Sequence, residues 1–228
     1  MMTSSSAPVL LWDIDGTLLY NDVRGLGPYL DAIARVAPSV PVPEIVTHGK
    51  TDWQVICELL EAADLDLGIA EAVSDQLDEV SRSYLDPEGA LKLLPFVSEA
   101  LGAFQSAGLR NGLLTGNSIG RSRMKLTGAG LNAGLIDWDA GFFGSRTRVR
   151  SDLSHAARAR FKDVPILLIG DTPLDGHAAQ KAGIPFVAVC TGIYDASAFE
   201  NEDCLLVLDD LSNGREQILE VLRHIAHM

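Results

Sequence analysis

The feature that most constrains the fold of this chain is an alternation of short apolar runs with helical patterns. Most of the apolar runs are followed directly by Gly, Asp or Thr, which is typical of buried strands that end in turns. The predicted strands are Val9–Trp12, Leu109–Leu114, Ala140–Phe143, Ile166–Ile169, Phe186–Val189 and Leu205–Leu208. The predicted helices are Pro95–Ala107, Ile119–Gly128, Asp152–Phe161, Asp175–Ala182 and Gly214–His227. This alternation predicts an α/β fold with a doubly wound, mostly parallel sheet covered by helices on both faces.

The segment from Tyr20 to Leu94 breaks this rhythm. It shows helical patterns near Gly27–Val36, Asp52–Ala63 and Ile69–Tyr84, and no strand is predicted within it. We therefore expect an α/β core formed by residues 1–19 and 95–228. Residues 20–94 would form a small helical domain, inserted just after the first strand.

Composition excludes several classes of protein. The chain has 228 residues and a formal net charge of −13, which disfavours nucleic acid as a partner. No apolar run approaches the ~20 residues that span a bilayer, and we identify no secretory signal at the N-terminus. Its 3 cysteines lack the spacing of a zinc site or a disulfide framework. These features predict a cytoplasmic protein that does not associate with membranes.

Charge is distributed unevenly along the chain. Acidic residues dominate between Asp52 and Glu88, whereas basic residues dominate between Arg121 and Lys162. These segments could be two solvated surfaces, or the basic one could border an anion site. They could also attract each other if the insert closes on the core.

Polar side chains follow three of the predicted strands. Asp13-Ile14-Asp15-Gly16-Thr17 follows the first strand, Thr115-Gly116-Asn117 follows the second, and Gly170-Asp171 leads to Asp175 after the fourth. Open parallel sheets bind ligands at the carboxyl ends of their strands. We therefore expect these residues to meet at one edge of the sheet.

The two carboxylates of Asp13 and Asp15 need an explanation, because burying unpaired like charges is costly. Either the segment is solvated or a cation lies at the strand ends. Mg²⁺ prefers oxygen ligands in octahedral geometry. Asp13 and Asp171 could supply carboxylates, Asp15 its backbone carbonyl, and Asp175 could orient ligands from behind them.

This arrangement predicts phosphoryl-transfer chemistry. A carboxylate held on Mg²⁺ can attack phosphorus and form an aspartyl-phosphate. A neighbouring carboxyl group can protonate the leaving alcohol and then deprotonate water. The Thr115 hydroxyl and nearby backbone N–H groups, those of Gly116 and Asn117, could bind the phosphoryl oxygens, and a lysine could offset charge in the transition state.

These motifs resemble those of the haloacid-dehalogenase-like (HAD) superfamily, in its phosphatase branch with a helical cap of the phosphoglycolate phosphatase type. The resemblance rests on Asp13-x-Asp15-Gly16-Thr17, on Thr115 and on Gly170-Asp171-x-x-x-Asp175. It implies that Asp13 is the nucleophile, Asp15 the acid and base, and Mg²⁺ the cofactor, bound by Asp13, Asp15 and Asp171. Dehalogenases generally lack the second Asp, so Asp15 favours phosphoryl transfer.

The cation of the family is harder to assign. Many relatives place a lysine in a Lys-Pro step before the last motif, and this sequence has no such step there. We assign this catalytic role to Lys125 on the helix after Thr115. Arg150 is the alternative, because a guanidinium can also bind phosphate.

The loop before the second cap helix, His48-Gly49-Lys50-Thr51-Asp52, resembles a cap loop that faces the active site in relatives. Thr51 or Asp52 is expected at the N-cap position of this helix. Lys50 could contact an anionic part of the substrate, and His48 could line the entrance. Relatives that cleave phosphonoacetaldehyde use a cap lysine to form a Schiff base, so Lys50 leaves that chemistry open.

Three hypotheses are open for the function. The first is a Mg²⁺-dependent phosphatase that hydrolyses a small phosphorylated metabolite, and that is a monomer or homodimer. The second is a phosphonatase or a phosphosugar mutase on the same scaffold. The third is a binding protein without catalytic activity. Cap hinges are expected near Leu19–Asp22 and Leu91–Pro95.

Overall fold

The computed structural model describes residues 7–21, 25–37, 45–85, 91–200 and 203–226. The strands are β1 (Val9–Trp12), β2 (Leu19–Asn21), β3 (Leu91–Leu93), β4 (Arg110–Thr115), β5 (Phe142–Phe143), β6 (Ile166–Gly170), β7 (Phe186–Val189) and β8 (Leu206–Leu208). The α-helices are α1 (Gly27–Val36), α2 (Asp52–Ala62), α3 (Ala70–Leu85), α4 (Val97–Ser106), α5 (Ile119–Gly128), α6 (Arg150–Arg160), α7 (Pro173–Ala182) and α8 (Gly214–Ala226). His227, the predicted end of the last helix, lies outside the described residues.

The main sheet has six strands in the order β5-β4-β1-β6-β7-β8, and every neighbouring pair is parallel. β1 lies between β4 and β6, with Trp12 in register with Leu113 on one side and Ile169 on the other. The residues that come directly after these three strands therefore emerge at one edge of the sheet. The predicted α/β fold with a mostly parallel sheet is confirmed.

Helices cover both faces of this sheet because its central strands are apolar on both sides. Trp12 and Phe104 belong to the core on the face that carries α4, α5 and α8. Leu11 and Phe186 belong to the core on the opposite face, which α6 and α7 cover. All four residues of β1 are fully buried, which explains why its sequence reads as a continuous apolar run rather than an alternating one.

The insert forms a helical cap with its own apolar core. Helices α1, α2 and α3 pack together through residues that include Tyr29, Ile56 and Leu77. The side chain of Thr51 accepts a hydrogen bond from the backbone N–H of Gln54, so Thr51 is the N-cap of α2. The division into a core of residues 1–19 and 95–228 and a cap of residues 20–94 remains our interpretation of the chain.

The prediction that this segment contains no strand was wrong. β2 and β3 pair in an antiparallel ladder, with Leu19 opposite Leu93, where the chain passes into and out of the cap. Each of these strands has only three residues, too few to give a periodic pattern in the sequence.

The helices of the described residues include none with the length and hydrophobicity that a membrane span requires.

Candidate active site

Three buried carboxylates meet at the carboxyl edge of the sheet. Asp13 follows β1, Asp171 follows β6, and Asp175 lies in the first turn of α7. One carboxylate oxygen from each lies within 4.8 Å of those of the other two. The exposed fractions of these residues are 6%, 3% and 0%, so water screens their mutual repulsion poorly.

Local structure holds each carboxylate in place. The hydroxyl of Thr17 donates a hydrogen bond to Asp171 Oδ1 at 3.1 Å. Asp175 and Thr172 form a capping box at the start of α7, in which each side chain accepts a hydrogen bond from the other's backbone N–H. The Thr172 hydroxyl also donates to Asp175 Oδ2 at 2.7 Å. These contacts fix the carboxylates before any ligand binds.

Glycines make room for this cluster in two turns. Gly16 has φ +87°, a conformation that favours glycine, and a Cβ there would lie 2.2 Å from Asp171 Oδ2. A Cβ on Gly192, after β7, would lie 1.8 Å from the same oxygen. The backbone therefore approaches the Asp171 carboxylate from two loops.

Arg150 is the cation beside this cluster. Its Nη2 lies 3.1 Å from Asp13 Oδ1 and also contacts Asp175 Oδ1, without the angular alignment of a hydrogen bond. Its Nη1 donates to the carbonyl of Gly49 in the cap loop at 3.3 Å. One guanidinium among three carboxylates leaves net negative charge in a buried place.

Burial of this cluster raises the pKa values of two of its carboxylates. Burial raises the pKa of Asp13 to about 6, although the Arg150 charge lowers it. Burial, reinforced by the charge of Asp13, raises the pKa of Asp171 well above its usual range. Carboxylates with raised pKa values ionise more readily when a cation lies beside them. This cluster of hard oxygen ligands therefore fits a divalent cation such as Mg²⁺.

Asp15 lies in a different polar environment. Its Oδ2 is 2.5 Å from Lys125 Nζ and accepts a hydrogen bond from Asn117 Nδ2 at 2.8 Å. Lys125 also donates to Asn117 Oδ1 at 2.7 Å, and Asn117 Nδ2 donates to Thr115 Oγ1 at 2.9 Å. Burial lowers the pKa of Lys125, while the charge of Asp15 opposes this effect.

The residues that the sequence suggested for the site line one cavity of about 110 Å³. They are Asp13, Asp15, Lys50, Thr115, Gly116, Asn117, Lys125 and Asp171. His48 and Arg150 line it as well. The structure thus brings all the predicted site residues together, while their individual roles remain predictions.

The cap loop closes one side of this cavity. A Cβ on Gly116 would lie 2.2 Å from the carbonyl oxygen of Lys50, so the cap and core backbones are in close approach here. The Lys50 ammonium lies 2.6 Å from Glu58 Oε2. Although burial raises the pKa of Glu58, hydrogen bonds from Lys50 and Gln54 lower it below its usual range.

The two candidate cations contact different carboxylates. Lys125, our first choice for the cation at the phosphate, contacts Asp15, whereas Arg150, the alternative, contacts Asp13. A guanidinium next to the expected nucleophile favours Arg150 for binding the phosphoryl group. Lys125 contacts the expected acid and base, and the roles of both cations remain predictions.

Among the cavity-lining residues that sequence reasoning missed, three carry titratable side chains. Tyr29 of α1 and Arg121 of α5 were not singled out, and Asp52 was considered only as a helix cap. Arg121 carried a usable signal, because it lies four residues before Lys125 and so on the same face of the helix. Tyr29 carried none in the sequence.

Comparison with known proteins agrees with this site. Residues 151–213, which include Asp171 and Asp175, match the family model described as HAD-hydrolase-like. The parallel sheet, the inserted cap and the three strand-end motifs agree with this match.

The chain is also similar to individual known proteins. The chain is 24% identical over 218 residues to the phosphoglycolate phosphatase of Rhodospirillum rubrum, covering 90% of this chain and 88% of that one. The fold is similar to that of a haloacid dehalogenase-like hydrolase from Bacteroides fragilis, with TM-score 0.68 and 20% identity over 91% of this chain and 99% of the other.

A further solved structure is that of CbbY from Rhodobacter sphaeroides in complex with phosphate. Its TM-score is 0.67 and its identity 17%, over 90% of this chain and 94% of that one. At such identities the likeness of the solved structures concerns the fold. The match to the HAD-hydrolase-like model and the curated relative agree with the predicted enzyme class, a hydrolase of the phosphatase type.

Proposed function

We propose that this chain is a HAD-like hydrolase, and specifically a Mg²⁺-dependent phosphatase that hydrolyses a small-molecule phosphate monoester through an aspartyl-phosphate on Asp13. The observation that carries the proposal is the separation of two carboxylates into different environments. Asp13 lies in the acidic cluster with Asp171, whereas Asp15 contacts Lys125 and Asn117. Two carboxylates held in unlike surroundings can take the distinct roles of nucleophile and acid or base.

The metal would be held by the carboxylates of Asp13 and Asp171 and the backbone carbonyl of Asp15, with Asp175 supporting them. Bound Mg²⁺ would neutralise charge on the phosphoryl oxygens and polarise the phosphorus for attack. The buried carboxylates and their raised pKa values support this assignment.

The reaction takes place in two steps. The Asp13 carboxylate attacks phosphorus, and the bond from phosphorus to the leaving oxygen breaks while Asp15 gives that oxygen a proton. The ionised Asp15 then takes a proton from water, whose oxygen attacks the phosphorus of the aspartyl-phosphate while the bond from phosphorus to the Asp13 oxygen breaks. Inorganic phosphate leaves, and both side chains return to their initial states.

Groups around the cavity would bind the phosphoryl oxygens during these steps. Thr115, Gly116 and Asn117 line the cavity where β4 ends, and the Arg150 guanidinium lies beside Asp13. Donors that are fixed in place stabilise developing charge at little cost of reorganisation. Lys50 is proposed to face the part of the substrate that departs.

The structure favours the phosphatase over a phosphonatase that uses Lys50. Schiff-base chemistry needs an available amine, whereas the Lys50 Nζ contacts Glu58 Oε2 at 2.6 Å. No contact among the described residues specifically favours a mutase. Because the carboxylates and the cavity of the catalytic set are all present, a binding protein without activity is the weakest hypothesis.

The proposal extends to the setting of the enzyme. We propose a small phosphorylated metabolite as its partner, a monomer or homodimer as its state, and the cytoplasm as its location. None of the three cysteines forms a disulfide, which supports a reducing compartment. The net charge of −13 supports the expectation that nucleic acid is not a partner.

The Asp13→Asn variant tests the mechanism. It should fold as wild type does and lose phosphate release from a panel of phosphorylated metabolites, because an amide is not a nucleophile. The wild-type enzyme should need Mg²⁺ and, after an acid quench, should carry a phosphate adduct on Asp13. The matched control is Asp139→Asn, an exposed site, which should keep full turnover. Turnover by Asp13→Asn would refute the nucleophile assignment.

A further inference from the structure

Polar side chains on one face of α5 contact both the cap and the active site. Ser118 is the N-cap of the helix, and Arg121 and Lys125 come after it at intervals of three and four residues. This spacing puts the three side chains on one face. Arg121 and Lys125 are 6% and 3% exposed, so this face is buried between the cap and the active site.

The first turn of α5 is bound to the cap through Asp52. The Ser118 backbone N–H donates to Asp52 Oδ2 at 2.8 Å, and Arg121 Nη1 contacts Asp52 Oδ1. Tyr29 supports the same oxygen with a hydrogen bond of 2.7 Å from its hydroxyl, and it accepts one of 3.0 Å from Arg121. Asp52 is 3% exposed, so either charge without its partner would be left buried and uncompensated.

The same helix holds the acid and base of the proposed reaction. Lys125 contacts Asp15 directly, and Asn117, which immediately precedes the N-cap Ser118, contacts both Lys125 and Asp15. A shift of the first turn of α5 would therefore move both groups that orient the Asp15 carboxylate. Asp13 takes its position from β1 and Arg150 and would stay in place.

We propose that Asp52 and Arg121 form a clamp between cap and core that positions the Asp15 carboxylate through α5. The inference rests on the proposed function, because it requires Asp15 to be the acid. Asp52 and Arg121 are positioning residues in this account. Seating the cap forms the clamp, so proton transfer to the leaving group is fully effective only when the cap is seated.

Other contacts between cap and core bypass α5. Arg148 pairs with Glu61 at 2.7 Å, and Arg146 pairs with Asp75 at 2.8 Å, both at partly exposed positions. Loss of one of these pairs would loosen the cap without touching Ser118, Arg121 or Lys125. The proposal therefore distinguishes the clamp from cap binding in general.

The test compares two substrates that differ in their need for an acid. Acetate leaves acetyl phosphate without a proton, whereas an alkoxide leaves an alkyl phosphate only with one. The value of kcat/KM reports the steps up to departure of the leaving group. Arg121→Gln should lower kcat/KM for an alkyl phosphate from the metabolite panel by about 10-fold or more, and that for acetyl phosphate by less than about 3-fold.

Three further variants define the pattern. Asp15→Asn should show the same selectivity more strongly, and Arg148→Gln, the matched control, should leave the ratio of the two kcat/KM values unchanged. The double variant Asp52→Asn with Arg121→Gln removes both charges together and leaves no buried charge unpaired. It should fold even if Arg121→Gln does not, and should match the selectivity of a single variant, since both changes break one clamp.

Equal losses on both substrates in the single and double variants would overturn the clamp while leaving the phosphatase standing. Selective loss in Arg148→Gln of the same size would also overturn it, because cap binding alone would then explain the effect. Failure of the proposed function would look different, since Asp13→Asn would then keep its activity on both substrates.

Discussion

Two buried cations in the cavity contact two different carboxylates. Arg150 lies beside Asp13, and Lys125 lies beside Asp15. Asp13 shares its surroundings with two further carboxylates, and burial raises its pKa to about 6. Two aspartates that are only two positions apart in the sequence thus lie in different environments. Asp13 lies among carboxylates, whereas Asp15 lies beside a lysine.

The raised pKa of Asp13 makes stability depend on pH and metal together. Its folded pKa lies above the value of 3.8 expected for an unfolded chain. At pH values between these two pKa values, the folded protein therefore binds more protons than the unfolded chain. Its free energy of unfolding without metal falls as the pH rises through about 6. The shift corresponds to roughly 3 kcal/mol at pH values above it.

Mg²⁺ should offset this loss, because a bound cation favours the ionised carboxylates. We expect Mg²⁺ to raise the Tm more at about pH 8 than at about pH 5, as measured by thermal unfolding. Asp171→Asn, which removes a proposed ligand, should abolish the Mg²⁺ effect. A Tm shift that is equal at both pH values, or that survives in Asp171→Asn, would contradict the metal assignment.

At the scale of elements, the acidic cluster of the site lies among the loops after β1, β6 and β7. The hydroxyl of Thr191, after β7, donates to the carbonyl of Gly16, after β1, at 2.6 Å. Gly192 then passes close to Asp171, after β6. The loop after β7 was not part of the site predicted from the sequence, yet it supports the acidic cluster from one side.

Gly192→Ala tests the role of this loop. The new Cβ would lie 1.8 Å from Asp171 Oδ2, so the carboxylate or the loop must move. We expect Mg²⁺-dependent turnover to fall by about 10- to 100-fold, as is typical when the support of a metal ligand is disturbed. Steady-state kinetics at saturating and limiting Mg²⁺ would measure the effect.

The control for this substitution is Gly102→Ala in α4. The nearest atom to its new Cβ is Leu135 Cδ2 at 3.9 Å, so the methyl group fits. Turnover should be unchanged, and the free energy of unfolding should rise by up to ~1 kcal/mol, because alanine favours the helix. Equal turnover in both variants would show that Gly192 has no part in the site.

At the scale of the whole molecule, the acidic cap faces the basic segment of the core. Arg146 pairs with Glu71 and Asp75, and Arg148 pairs with Glu61, so these two segments do meet. The antiparallel pairing of β2 with β3 joins the two passages between core and cap. The predicted hinges lie in this region, although Asp22 at the end of one of them lies outside the described residues.

The seated cap restricts the range of molecules that the enzyme can hydrolyse. A cavity of about 110 Å³, closed on one side by Lys50 and Gly116, leaves little room beyond a phosphoryl group and a small leaving group. We expect free phosphoserine to be hydrolysed much faster than a phosphoserine peptide with the same monoester, as measured by phosphate release. Comparable kcat/KM values for the two would contradict a small-molecule substrate.

The sequence by itself determined the sheet and the composition of its carboxyl edge. A buried parallel strand must be apolar on both faces, so each strand is visible as a short apolar run, and the residues directly after the strands must lie at one edge. That reasoning located Asp13, Thr115 and Asp171. It did not find β2 and β3, because strands of three residues have no periodicity and their partners are far apart in the chain.

Only the tertiary structure decided which charge pairs with which. The sequence offers two positively charged candidates for the site, Lys125 and Arg150. It does not show in which direction each long side chain points. The contact between Asp52 and Arg121, 69 positions apart, depends on how the cap sits on the core. Buried charges must find partners wherever packing places them, and that placement is a property of the folded molecule.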